Sequence, residues 1–109
     1  MKLSEKQIQR QIIEMLNYSG CFVYGQNAGQ IPIEGMNGKT RMIKVGKKGI
    51  ADIIGLRKSD GKFVAIEVKT PERRGNVTFY QQQFLEQVKE YGGITGVATS
   101  VEEALEIVK

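Results

Sequence analysis

Histidine is absent from the chain and cysteine occurs once, at Cys21. With neither histidine nor a second cysteine, the ordinary ligand set of a zinc site is missing and a disulfide within the chain is excluded. Cys21, set between Gly20 and Phe22, reads as a small core residue. No apolar run approaches the roughly 20 residues that a membrane-spanning helix needs. The N-terminal Met1-Lys2-Leu3-Ser4-Glu5-Lys6 lacks the apolar segment of a secretory signal, so a cytoplasmic protein outside the membrane is expected. Internal repeats, linkers and low-complexity tracts are also missing. The 109 residues therefore read as one domain spanning 1–109, with room for one apolar core and none for a separate regulatory module.

Sixteen Lys and Arg against twelve Asp and Glu give a formal charge of +4 and a pI near 9.3. That balance suits a polyanionic partner, and its distribution sharpens the point. Arg41, Lys44, Lys47 and Lys48 crowd the segment before Asp52, whereas Lys69, Arg73 and Arg74 follow Glu67. Two basic clusters thus flank one acidic pair.

Ser4 with Gln7 makes a capping box that opens a helix over 4–18, with Gly20 just past its end. Ile8, Ile12, Ile13, Met15 and Leu16 form its apolar stripe; Ile8, Ile12 and Leu16 point within about 60° of Glu5, whereas Glu14 points away. A short strand, Cys21 to Tyr24, leads into a stretch containing Asn27 and Gly29. Asn37-Gly38 between 31–34 and 40–45 predicts a hairpin that carries basic residues toward the acidic pair. After Gly46-Lys47-Lys48-Gly49 come strands over 50–56 and 62–69, separated by the Asp60-Gly61 turn and expected to pair antiparallel. Thr78 with Gln81 caps a helix reaching about Tyr91, with Phe84, Leu85 and Val88 as its apolar face. A strand over 94–99 and a short helix capped by Ser100 and Glu103 close the chain. The order α-β-β-β-β-β-α-β-α predicts an α/β fold with a mixed sheet flanked by helices, the last strand lying parallel to a neighbour. Most of the scattered Phe and Tyr are expected in the core, with Phe79 and Tyr80 as candidate surface contacts. Gly38-Lys39-Thr40 resembles a P-loop ending, but Ile33 stands where that motif needs Gly.

Along 63–69 the alternation puts Val64, Ile66 and Val68 on one side and Ala65, Glu67 and Lys69 on the other. Asp52 is an acid embedded in the apolar run Ile50-Ala51-Asp52-Ile53-Ile54. Buried carboxylates persist when paired, hydrogen-bonded or bound to a metal, and two on adjoining strands make an oxygen-rich site for Mg²⁺ or Mn²⁺. Phosphodiester hydrolysis calls for such a site with an ammonium nearby. A structural Glu67–Lys69 pair with Asp52 capping a turn fits the spacing equally.

Asp52, fourteen intervening residues and then Glu67-Val68-Lys69 resemble the D-x(n)-E-x-K core of PD-(D/E)XK nucleases. The surroundings resemble the VRR-NUC subgroup. The matching elements are Glu5 with the Ile8/Ile12/Leu16 stripe, Lys48-Gly49-Ile50-Ala51-Asp52, Ala65-Ile66-Glu67-Val68-Lys69, Thr78-x-x-Gln81-x-x-Phe84-Leu85, and the closing Gly92-Gly93 and 100–104. Ala51 stands where the superfamily's name has proline, a position that offers no ligand. The resemblance implies a restriction-endonuclease-like core, with Asp52, Glu67, Lys69 and Gln81 as catalytic residues. It further implies Glu5, Asp52, Glu67 and Val68 around a Mg²⁺ or Mn²⁺, and DNA contacts by Arg41, Lys44, Lys47, Lys48, Arg73 and Arg74. Gln81 is explained as well by its capping position alone. Stand-alone relatives are phage-type proteins that tend to act as dimers. A homodimeric, structure-selective endodeoxyribonuclease cutting branched DNA such as a Holliday junction is the implied function. The alternatives are a monomeric nicking or flap nuclease, a silent DNA-binding module and an RNA-processing factor.

Overall fold

The computed structural model describes residues 2–26, 29–45 and 48–109. Helix α1 (Glu5–Tyr18) is opened by Ser4, whose hydroxyl accepts from the Gln7 amide at 3.2 Å while the Gln7 side chain accepts from the Ser4 amide at 2.8 Å. Two otherwise orphaned amides are thereby satisfied. Of its expected stripe Ile8, Ile12 and Leu16 are buried, whereas Ile13 is half-buried and Met15 is exposed because it lies on the flank of the helix turned away from the sheet. Strands β1 (Cys21–Gly25), β4 (Ile53–Arg57), β5 (Phe63–Val68) and β6 (Ile94–Ala98) form one sheet in the order β1-β4-β5-β6. Strand β4 runs antiparallel to both β1 and β5, and β6 joins β5 in parallel after the crossover helix α2 (Phe79–Glu90). Helix α3 (Val101–Val108) ends the chain, with Ser100 accepting from the Glu103 amide. A single turn of 3-10 helix, Pro71–Arg73, links β5 to α2 and carried no periodic signal.

Strands β2 (Gly29–Glu34) and β3 (Thr40–Val45) pair as the expected hairpin but form a two-stranded sheet of their own. Asn27, Gly46 and Lys47 lie outside the described residues, and only the backbone of Lys44 is described.

Each face of the four-stranded sheet has its own apolar cluster. On one face, α1 and α3 cover Val23, Ile53, Val64, Ile66, Val68 and Ala98. On the other, Phe84, Leu85 and Val88 of α2 pack over Ala51, Ile54 and Ala65. Burying one such aliphatic side chain is worth about 2 kcal/mol, so the first face carries most of the hydrophobic stabilisation. Close approach between strands is needed at Gly55, where a Cβ would lie 2.6 Å from the Val23 Cα.

The aromatics depart from expectation. Tyr18, Phe22, Tyr24, Phe63, Phe79, Tyr80 and Tyr91 are all exposed, and among the described residues Phe84 is the one Phe or Tyr that packs into a cluster. The reason is geometric: α2 covers only part of its face, leaving Phe22, Leu56 and Phe63 in a row across β1, β4 and β5. The outer edge of β1 is managed differently. The Asn17 amide donates to the Val23 carbonyl at 2.9 Å, and its oxygen accepts from the Val23 N–H at 2.8 Å, in place of a neighbouring strand.

Candidate active site

Asp52 lies one residue before β4, not within the strand expected over 50–56. The Asp52 carbonyl accepts from the Gln26 amide at 2.7 Å, which carries the β1–β4 register one pair beyond the strands, and from the Gln9 side chain at 3.2 Å. Its carboxylate turns toward β5, where Oδ2 accepts from the Val68 amide at 2.9 Å. Backbone and side chain are both pinned. Gln9 sits one turn beyond Glu5 on α1, a spacing that could have marked it, although its partner is 43 residues away in sequence.

Glu67 projects from β5 toward α2 and is 1% exposed. Its Oε1 accepts from Gln81 Nε2 at 3.1 Å, whereas Oε2 is buried with no hydrogen-bond partner among the described residues. Burial pushes the Glu67 carboxyl up to about 9, with the neighbouring Asp52 carboxylate adding to the rise. Lys69 pulls against this shift, and Glu5 contributes a smaller upward push. Two facing carboxyls need something positive between them, either a shared proton or a cation.

Gln81 makes two contacts, one at the cap and one at Glu67. Its oxygen accepts from the Thr78 amide at 2.9 Å to close the capping box, and its amide nitrogen donates to Glu67. The neighbours are otherwise occupied or exposed: Gln82 bonds Glu86 one turn on, and Gln83 faces solvent. Lys69, just past β5, is half-buried and continues the ladder by donating its amide to Ala98. Glu5 is half-buried in the first turn of α1, whereas Glu14 is exposed.

The orphaned Glu67 Oε2 beside Asp52 is a hard-oxygen site that a divalent cation would fit. Asp52 and Glu67 are the groups placed to hold it. Among the described residues no three Asp, Glu, Cys or His side chains gather closely enough to enclose an ion alone. A cation held there would take its remaining positions from backbone carbonyls and water. Val68 buries its side chain in the core, so only its carbonyl can take part.

The chain was also compared with known proteins. The family model described as the VRR-NUC domain matches residues 3–102, and no curated protein matches. The chain belongs to the VRR-NUC family. It is therefore a nuclease-type domain of the PD-(D/E)XK superfamily, and the mixed sheet with its three helices agrees with a restriction-endonuclease-like core.

Within this VRR-NUC domain the basic residues are scattered more widely than the acids. Lys48 lies over the Tyr80 ring at 4.1 Å, next to Gln81 in sequence. Arg73 is exposed in the 3-10 turn. Arg74 forms an ion pair with Glu103 and contacts the Thr99 hydroxyl, a structural engagement at the start of α3 that its sequence position did not reveal. Arg41 stands on the separate hairpin beside Lys39 and Glu34. The cleft of about 430 Å³ running past Leu3, Ile8, Pro71 and Ser100 contains none of Asp52, Glu67, Lys69 or Gln81.

Proposed function

We propose that this VRR-NUC domain is a Mg²⁺- or Mn²⁺-dependent endodeoxyribonuclease that hydrolyses phosphodiester bonds at Asp52, Glu67 and Lys69. The observation that carries the reading is the buried Asp52–Glu67 carboxyl pair with one unpartnered oxygen. Asp52 and Glu67 would hold the cation, with Glu5 and the Val68 carbonyl contributing directly or through water. A divalent ion bound there supplies a polarised phosphoryl oxygen and a more acidic water. Gln81 keeps Glu67 Oε1 engaged, so Oε2 is the oxygen left for the ion. The Val68 amide fixes Asp52 in the matching orientation. Lys69 would stabilise charge developing at phosphorus.

The proposed substrate is branched DNA, such as a Holliday junction, cut by a homodimer. Support for a second copy is the exposed row Phe22, Leu56 and Phe63, an apolar strip across an antiparallel face. The test is cleavage of labelled single-stranded, duplex, flap and four-way DNA with and without Mg²⁺, alongside Asp52→Asn. Junction cleavage that needs metal and Asp52 is expected; undiminished cutting in excess EDTA refutes the metal-dependent reading.

A further inference from the structure

Phe79 and Tyr80 open α2 directly before Gln81, the residue that holds Glu67. Gln81 turns inward, and its two predecessors turn outward: Phe79 is 67% exposed and Tyr80 46%. Nothing in the fold uses these rings as core. They are nevertheless fixed relative to each other, with centroids 5.6 Å apart and planes at 79°. On the other side, the Lys48 ammonium sits 4.1 Å from the centre of the Tyr80 ring. The segment that brings Lys48 there passes too close for any side chain at Gly49, which has φ +81° and where a Cβ would lie 2.5 Å from the Tyr80 carbonyl. Two exposed aromatic rings and a cation therefore stand together next to Gln81, the residue that bonds Glu67.

Aromatic faces beside a cation match a nucleotide strand, whose bases stack while its phosphates meet the charge. Bases inside a duplex have both faces covered by their neighbours. Only an unpaired base, at a flap, a branch or a frayed end, has a face to offer. We propose that Phe79, braced edge to face by Tyr80 and with Lys48 beside it, is a base-stacking platform that holds an unpaired nucleobase beside the phosphate cleaved at Asp52 and Glu67. This rests on the nuclease reading and adds the device by which the site selects non-duplex DNA. Because every base has a π face, the platform selects by structure and not by sequence.

The test uses the full chain carrying Asp52→Asn with Ca²⁺, so that DNA is bound and not cut. The probes are a flap substrate with 2-aminopurine placed in turn at the unpaired nucleotides flanking the branch, and a fully paired duplex with the same label. Binding should quench the fluorescence at one flap position. Adding Phe79→Ala should abolish that quenching and weaken flap affinity by about tenfold while leaving duplex affinity unchanged, and Phe79→Trp should restore both. Circular dichroism confirms folding of each variant. Flap binding without quenching, or an equal loss of affinity for both DNAs, overturns the platform while leaving the nuclease reading intact. Absence of any DNA binding overturns both. Quenching by a duplex-internal label as strong as at the flap overturns the selection for unpaired bases.

Discussion

Replacing Glu67 by Gln should make the metal-free protein more stable, and the size of the gain follows from its surroundings. An unfolded glutamate titrates near 4.5, whereas burial and Asp52 push the native carboxyl up to about 9. Between those values the native state holds a proton that the unfolded state has released, so stability falls as pH rises through that window. At pH 7 the difference spans 2.5 of the units between 4.5 and 7, which at about 1.4 kcal/mol each is a cost of roughly 3 kcal/mol. Gln cannot ionise, and it mimics the protonated acid: its oxygen can accept from Gln81, and its amide can donate to Asp52. Urea denaturation in EDTA at pH 5, 7 and 8.5 measures the effect. Wild type should lose stability steadily across the series, and Glu67→Gln should lose about 3 kcal/mol less by pH 7, a difference on the order of 10 °C in Tm. Parallel pH profiles for the two proteins would show that native Glu67 is ionised and that its environment is not the one described.

Added Mg²⁺ should take the place of the shared proton, raising the Tm of wild type above pH 7 and leaving Glu67→Gln unmoved in a thermal-shift titration. Glu5→Gln should lower turnover by at least about tenfold, roughly 1.4 kcal/mol of barrier, while Glu14→Gln does almost nothing; equal time courses for the two would exclude Glu5 from the site. Gln81→Ala should cost about 1–2 kcal/mol in denaturant melts through the lost cap, and should also reduce cleavage because both Glu67 oxygens are then unpartnered. Asn17→Ala should free the edge of β1, lowering stability by about 1 kcal/mol and raising aggregation detectable by light scattering.

The elements legible in the sequence were those written in neighbouring residues. Ser4 with Gln7 and Thr78 with Gln81 place both long helices correctly because a capping box spans only one turn. Alternation in 63–69 put Glu67 and Lys69 on the face opposite Val64, Ile66 and Val68, and the buried core agrees. Features decided by distant partners were not legible. The Gln9 bond that pins the Asp52 carbonyl spans 43 residues of sequence, and the engagement of Arg74 depends on Glu103. The exposed aromatics depend on how far α2 extends over the sheet, which no local period encodes. Gln81 shows the boundary between the two kinds of information. Its capping half is local and was readable, whereas its bond to Glu67 spans 14 residues of sequence and required the fold.

That double bond of Gln81 also changes what α2 is free to do. The first turn of a helix is ordinarily among the least costly parts of a protein to open, and such fraying passes unnoticed. Here the turn cannot unwind without withdrawing the amide that steadies Glu67, so a motion usually confined to a helix end reaches the buried Asp52–Glu67 pair. Phe79 and Tyr80 belong to the same turn. A strand pressing on those rings would damp the fraying and hold the glutamate still, so that binding and readiness to cut become one event.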